Sequence, residues 1–282
     1  MNQINLFSGL IPVRDLGGLL FQEEEQEDRL QHFVETTWQR RPFAQNPGGM
    51  SLEACFFLHE ILALIAPQTV IESGVWHGMT TYIIDSITKV KNIHCFDPVV
   101  TNMDFIYYQS PKARYYSLDW ASSIFSQIPA DNCLAIFDDH QDHMERLCLS
   151  FLRGIRYVVL ENNYAFGGGE HKSLFDQLRA NPEPDSFASQ LIEAIYVSRP
   201  FYADDKGLSP LYDSTPEFLK NEYSHANSGD YNWLTFAVLR ENNWRGFSQN
   251  SSMEELATFP ACSAQQRESQ KSSPVNSITF NC

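Results

Sequence analysis

The stretch Val70-Ile71-Glu72-Ser73-Gly74-Val75-Trp76-His77-Gly78 decides the fold. A short apolar run closes on an acidic residue, and two glycines follow four positions apart. This reads as a strand from Thr69 to Glu72, a tight turn, and a helix carried through Ile83, Ile84, Ile87 and Val90. The turn is Glu-x-Gly-x-x-x-Gly, which differs from the Gly-x-Gly-x-x-Gly that sets a helix against a pyrophosphate.

Working outward, strands and helices alternate, the pattern of a parallel sheet with helical crossovers. Second, third, fourth and fifth strands are expected at Ile93 to Phe96, Arg114 to Leu118, Cys133 to Phe137 and Arg156 to Leu160. Each ends on polar groups: Asp97, then Asp119-Trp120, then Asp138-Asp139-His140, then Glu161-Asn162-Asn163. A helix with Met144, Leu147, Cys148, Phe151 and Leu152 on one face stops at Gly154. Upstream, Ser51 caps a helix bearing Leu52, Cys55, Phe56, His59 and Leu62, ended by Pro67. Residues 22–41 give a further helix with Leu30, Phe33, Val34, Thr37 and Trp38 on one side.

The expected architecture is therefore α/β, Rossmann-like and doubly wound, with a mostly parallel seven-stranded sheet. Residues 1–50 form an N-terminal accessory helix and loop, and 51–245 the main domain with a helical cover insertion at about 170–230. A late strand is expected at Tyr231 to Leu239, and residues 246–282 read as a loosely attached or disordered tail rich in Ser, Gln and Asn.

Thirty-five acidic against 20 basic residues give a net charge of −15, which argues against nucleic-acid and anionic-membrane partners. Neither a signal pattern nor a bilayer-length apolar run is present, so a cytoplasmic protein is expected. The six cysteines show no CxxC pair, which argues against structural zinc and a disulfide framework. A homo-oligomer is compatible with all of this.

Open α/β sheets bind ligands at the carboxyl ends of their strands. The acidic first position of the turn suits a zwitterionic amino-acid tail bearing a sulfonium better than a dinucleotide. The turn resembles the first motif of class I methyltransferases, with Glu72, Gly74 and Gly78 at the matching positions. That resemblance implies S-adenosylmethionine as cofactor, held by Glu72, Ser73, Gly74, His77 and Gly78. It further implies Asp97 on the ribose hydroxyls and Asp119 beside the adenine, with Trp120 available for stacking. His77 reads equally as a solvated loop residue.

Adjacent strand ends lie about 5 Å apart, so the acids after the fourth and fifth strands converge, and converging carboxylates call for a proton or a cation. Oxygen donors of this kind suit Mg²⁺, Mn²⁺ or Ca²⁺. The arrangement resembles that of metal-dependent O-methyltransferases of the catechol and of the macrolide-sugar and cephalosporin-hydroxylase-like types. It implies Glu161 and Asn162 as ligands together with either Asp138 or Asp139. Those families place a Lys or His three residues beyond the ligand Asp, whereas this chain has Gln141 or Asp142 there. His140 or His143 would then serve as the base, with Lys172 in reserve.

The activity implied is direct methyl transfer to a hydroxyl of a small molecule, glycoside or diol-like, over which Arg199, Phe201, Tyr202, Tyr212, Tyr223, Tyr231 and Trp233 offer faces. Another metal-assisted small-molecule reaction, or a non-catalytic binding module, uses the same features.

Overall fold

A computed structural model describes residues 11–21, 25–43, 46, 49–100, 105–123, 132–164, 173–180, 187–198, 202–203, 207–208 and 232–241. The chain begins with β1 (Val13–Asp15), α1 (Gly17–Leu20), α2 (Gln26–Thr36) and a 3₁₀ turn at Trp38–Arg40. Then come α3 (Leu52–Ile65), β2 (Thr69–Ser73), α4 (Met79–Ser86), β3 (Asn92–Phe96) and β4 (Ala113–Tyr116). After a second 3₁₀ turn at Trp120–Ser122 follow β5 (Cys133–Phe137), α5 (His143–Leu152), β6 (Tyr157–Tyr164), α6 (Leu174–Ala180), α7 (Phe187–Leu191) and β7 (Ile192–Val197). A small antiparallel pair, β8 (Tyr202–Ala203) with β9 (Gly207–Leu208), precedes β10 (Asn232–Leu239).

The main sheet has the order β1-β7-β10-β6-β5-β2-β3-β4. All its pairings are parallel except those of β10, which runs antiparallel between β6 and β7. The chain winds outward from β2 through β3 to β4, then returns to place β5 on the other flank of β2. Such a reversal leaves a crevice above the carboxyl ends of the two strands where it occurs, here β2 and β5.

Alternation along the strands feeds two cores. Val70, Ile93, Cys95, Leu134, Ile136 and Val159 face a cluster shared with α2, α3 and α4. Ile71, Phe96, Ala135, Phe137, Val158 and Leu160 face one shared with α5, α6 and α7. Fully burying each large aliphatic residue among them contributes about 1.5–3 kcal/mol, so the two-sided apolar run is what fixes each strand between helical layers. Ser51 caps α3 as expected, its hydroxyl accepting from the Ala54 N–H at 3.2 Å. Ala66, on left-handed backbone, ends that helix before Pro67. The N-terminal helix packs into the same core, with Phe33 against Phe56 at 5.6 Å between ring centroids, and the Tyr82 hydroxyl of α4 donates to the Thr37 carbonyl.

The Rossmann-like doubly wound α/β fold expected from the sequence is present, with differences in detail. The sheet has eight strands, because Val13–Asp15 adds to its edge beside β7. The segment expected as a helical cover contains α6 and α7, but also β7, a strand of the main sheet. Its run Ile192–Val197 is too short for periodicity to separate a buried strand from a helix. The helix after β2 stops at Ser86, where Ile87 turns extended, instead of reaching Val90. β4 ends at Tyr116, two residues before Leu118. β6 runs on to Tyr164 because β10 pairs with it there, so Glu161 and Asn162 lie within a strand and beyond the last β5 partner, Leu160. Among the described residues no helix is long and apolar enough to cross a membrane. Residues 246–282, Lys172, Arg199, Phe201, Tyr212, Tyr223 and Tyr231 lie outside the described residues.

Candidate cofactor and cation site

β2 delivers Glu72 to the crevice floor with no exposed surface. One carboxylate oxygen, Oε2, accepts from the Thr81 hydroxyl at 2.8 Å and the Cys95 thiol at 3.2 Å, while Oε1 is buried without a hydrogen-bond partner. Burial, with a smaller push from the Asp97 charge, raises its carboxyl to about 7 against the pull of the two hydrogen bonds. A positive charge above the turn would stabilise the ionised form.

The turn itself is built by glycine. Gly74 has φ +88°, and a Cβ there would collide with the Asp138 carbonyl, so only glycine lets the ends of β2 and β5 approach this closely. Gly78, at φ +89°, opens α4, and a Cβ there would strike the Tyr108 carbonyl. Between them Trp76 takes a left-handed φ of +47° and keeps 56% of its surface exposed. Asp97, at the end of β3, fastens this turn: Oδ2 accepts from the N–H of Val75 at 3.0 Å and of Trp76 at 3.4 Å, and Oδ1 from Val99 at 2.8 Å. His77 is no solvated loop residue. It is buried, stacked on Tyr107 at 4.3 Å, and its Nδ1–H donates to the Phe105 carbonyl.

The structure separates the two neighbouring aspartates. Asp139 turns to a buried arginine, with Oδ2 at 2.9 Å from Arg146 Nη2 and accepting from the Ser73 hydroxyl at 2.6 Å. Ser73 is thereby committed to Asp139 and does not offer its hydroxyl to the turn. Asp138 instead hydrogen-bonds the carboxyl of buried Glu161, and burial, followed by the charges of Glu161, Asp139 and Glu72, lifts its carboxyl well above the usual range. A shared proton holds such a pair together, and a divalent cation could replace it. Among the described residues, no group of three or more His, Cys, Asp or Glu side chains is arranged to hold a metal ion. The side chain of Asn162 lies outside the described residues.

Other expected residues take different places. Asp119 caps the 3₁₀ turn through Ala121 N–H and pairs with Arg146 Nη2 at 2.8 Å. Trp120 is fully buried against Phe137, with the Arg153 guanidinium 4.2 Å from its ring centre, so its ring is not available for adenine to stack on. The apolar demand of the α5-side core outweighed its position at a strand end. His143 is also buried, and its Nδ1 accepts from the Leu174 N–H at 3.1 Å, a contact that seats α6 on α5. His140 is exposed, at φ +55° directly after Asp139.

Sequence reasoning missed Arg146 and Arg153. The signal was their seven-residue spacing, about two helical turns, which sets Arg153 just past the end of α5 on the side of Arg146.

Neither a family model nor a curated protein matches the chain. Among solved structures, it resembles a Klebsiella pneumoniae protein provisionally assigned as an O-methyltransferase, at 10% identity and a TM-score of 0.45 over 80% of this chain and 94% of that one. Cofactor-bound Rv0187 from MTB gives 12% identity and a TM-score of 0.41 over 76% and 91%. The structure named cmcI-N160 SAH gives 15% and 0.32 over 44% of this chain and 66% of that one. At these values the likeness decides neither fold nor activity, and both rest on the topology and the residues above.

Proposed function

We propose that the chain is an S-adenosylmethionine-dependent methyltransferase acting on a hydroxyl of a small molecule with help from a divalent cation. The observation that carries this reading is electrostatic. Glu72, Asp97, Asp138, Asp139 and Glu161 meet at one crevice, against one buried guanidinium, that of Arg146, among the described residues. A field of that sign repels pyrophosphate and favours a cationic ligand. S-adenosylmethionine fits, since it carries both an ammonium and a sulfonium, and when bound it supplies an electrophilic methyl group.

In this reading the Gly74 turn seats the amino-acid tail, with the orphaned Glu72 Oε1 beneath it, and Asp97 holds the turn while facing the ribose. Asp138 and Glu161 are the oxygen donors for a hard cation, with Asn162 as a third candidate. Mg²⁺ commonly takes one or two protein carboxylates and fills the rest of its shell with water and substrate, so an incomplete protein set suffices. Asp139, held by Arg146 and Ser73, orients the strand end. The base would be His140, the exposed one of the two candidate histidines, taking the acceptor proton, and a bound cation would supply a lowered hydroxyl pKa. Alignment of acceptor oxygen, methyl carbon and sulfur would supply most of the acceleration.

Calorimetry with S-adenosylhomocysteine, with and without Mg²⁺, followed by methyl transfer from labelled cofactor to a panel of catechols and glycosides, tests this. Binding plus labelled product supports it. Silence toward the ligand in both conditions removes the enzymatic reading and leaves a binding module.

A further inference from the structure

The segment after β4 has an odd task. β4 is the sheet edge, three strands from β5, a separation of about 14 Å at the usual strand spacing. Yet Asp119 and Trp120 reach back to groups attached to β5: Trp120 packs on Phe137, and Asp119 shares Arg146 with Asp139. Arg146 of α5 and Arg153 just after it hold the segment there. Arg146, 1% exposed, takes Asp119 Oδ1. One residue beyond the helix, Arg153 donates to the carbonyls of Trp120, Ala121 and Ser123 at 3.2, 3.3 and 3.0 Å. Burying the Arg146 guanidinium and half-burying that of Arg153 beside it is costly, and burial together with Arg146 lowers Arg153 to about 10. That cost is borne where the segment meets the carboxyl end of β5, at Asp139 and Phe137.

We propose that Arg146 and Arg153 form a positioning clamp that sets residues 119–123 as the adenosine-side wall and keeps Asp139 from competing with Asp138 for Glu161. The proposal rests on the reading of the crevice as an adenosyl-cofactor site. Neither arginine touches the ligand. Both act through the loop, so loss of the clamp should weaken whatever the adenosine end binds and leave the amino-acid end alone.

The test is calorimetry of the full chain with S-adenosylhomocysteine and with 5′-methylthioadenosine, which lacks the amino-acid tail. Arg146→Met removes the donor that Asp119 and Asp139 share while keeping most of the side-chain length, and Arg153→Met, at a less buried position, serves if the first variant does not fold. Each is expected to weaken both ligands equally, by about tenfold. Glu72→Gln, at the other end of the crevice, is expected to weaken S-adenosylhomocysteine alone. Folded variants that bind both ligands like the wild type, or that lose only S-adenosylhomocysteine, overturn the clamp while the cofactor reading stands. A wild-type chain that binds neither ligand overturns both.

Discussion

At the ends of β2 and β3, carboxylates are answered by donors, whereas at the ends of β5 and β6 a carboxyl faces another carboxyl. Asp97 collects three backbone N–H groups, and Glu72 a hydroxyl and a thiol. Asp138 has Glu161. The first edge is settled by the chain's own groups apart from one buried oxygen. The second pairs two carboxyls that a shared proton or a cation would hold together, and in the proposed reading that contrast divides an organic ligand from a metal along a single crevice.

The comparison breaks most completely at Gly74, where the two edges touch. Gly74→Ala forces a Cβ onto the Asp138 carbonyl at a positive φ, and a loss of about 3–5 kcal/mol in denaturant unfolding is expected, with cofactor binding abolished. Wild-type stability in that variant would mean that the strand ends are not in contact. Next in size is the Glu72 carboxyl. Its folded pKa of about 7 lies above its ordinary 4.5, so the native state binds the proton more tightly than the unfolded chain. Stability should therefore fall by about 3 kcal/mol as pH rises through that window. Thermal melts of wild type and Glu72→Gln across this range should diverge at the alkaline end, the variant melting higher while binding S-adenosylhomocysteine more weakly.

A cation sharpens the other edge. Mn²⁺ or Mg²⁺ at about 100 times its dissociation constant should add about 2.7 kcal/mol, seen as a raised melting temperature. Glu161→Gln should lose that increment and Asp139→Asn should keep it, and the reverse order would return the ligand role to Asp139. Smallest is Asp97→Asn, which leaves one side-chain oxygen where two now accept. A stability loss of about 1 kcal/mol and a several-fold weaker ribose-end affinity are expected in unfolding and calorimetry.

Much of this contrast is legible in the chain itself. Strands that are apolar on both faces and end on acids announce themselves, and β2, β3 and β5 fall where their residues put them. What escapes is whatever depends on pairing across distance. β1 is three residues long and exists by its register with β7. The length of β6 is set by β10, some 70 residues later along the chain. Asp138 and Asp139 are indistinguishable until Arg146 claims one of them, and Arg146 reads from sequence as an ordinary charged position on a helix. Trp120 and His143 look like site residues because they follow strand ends, and are drawn inside by Phe137 and by the Leu174 N–H.

The buried Cys95 thiol, hydrogen-bonded to Glu72 beneath the glycine turn, makes the protein its own reporter. Alkylating reagents can reach it only when the crevice floor opens, whereas Cys148, on α5 in the opposite layer, reports on a separate core. A ligand seated on the turn should slow labelling of the first thiol far more than of the second, which turns a mass shift into a map of where binding tightens the molecule.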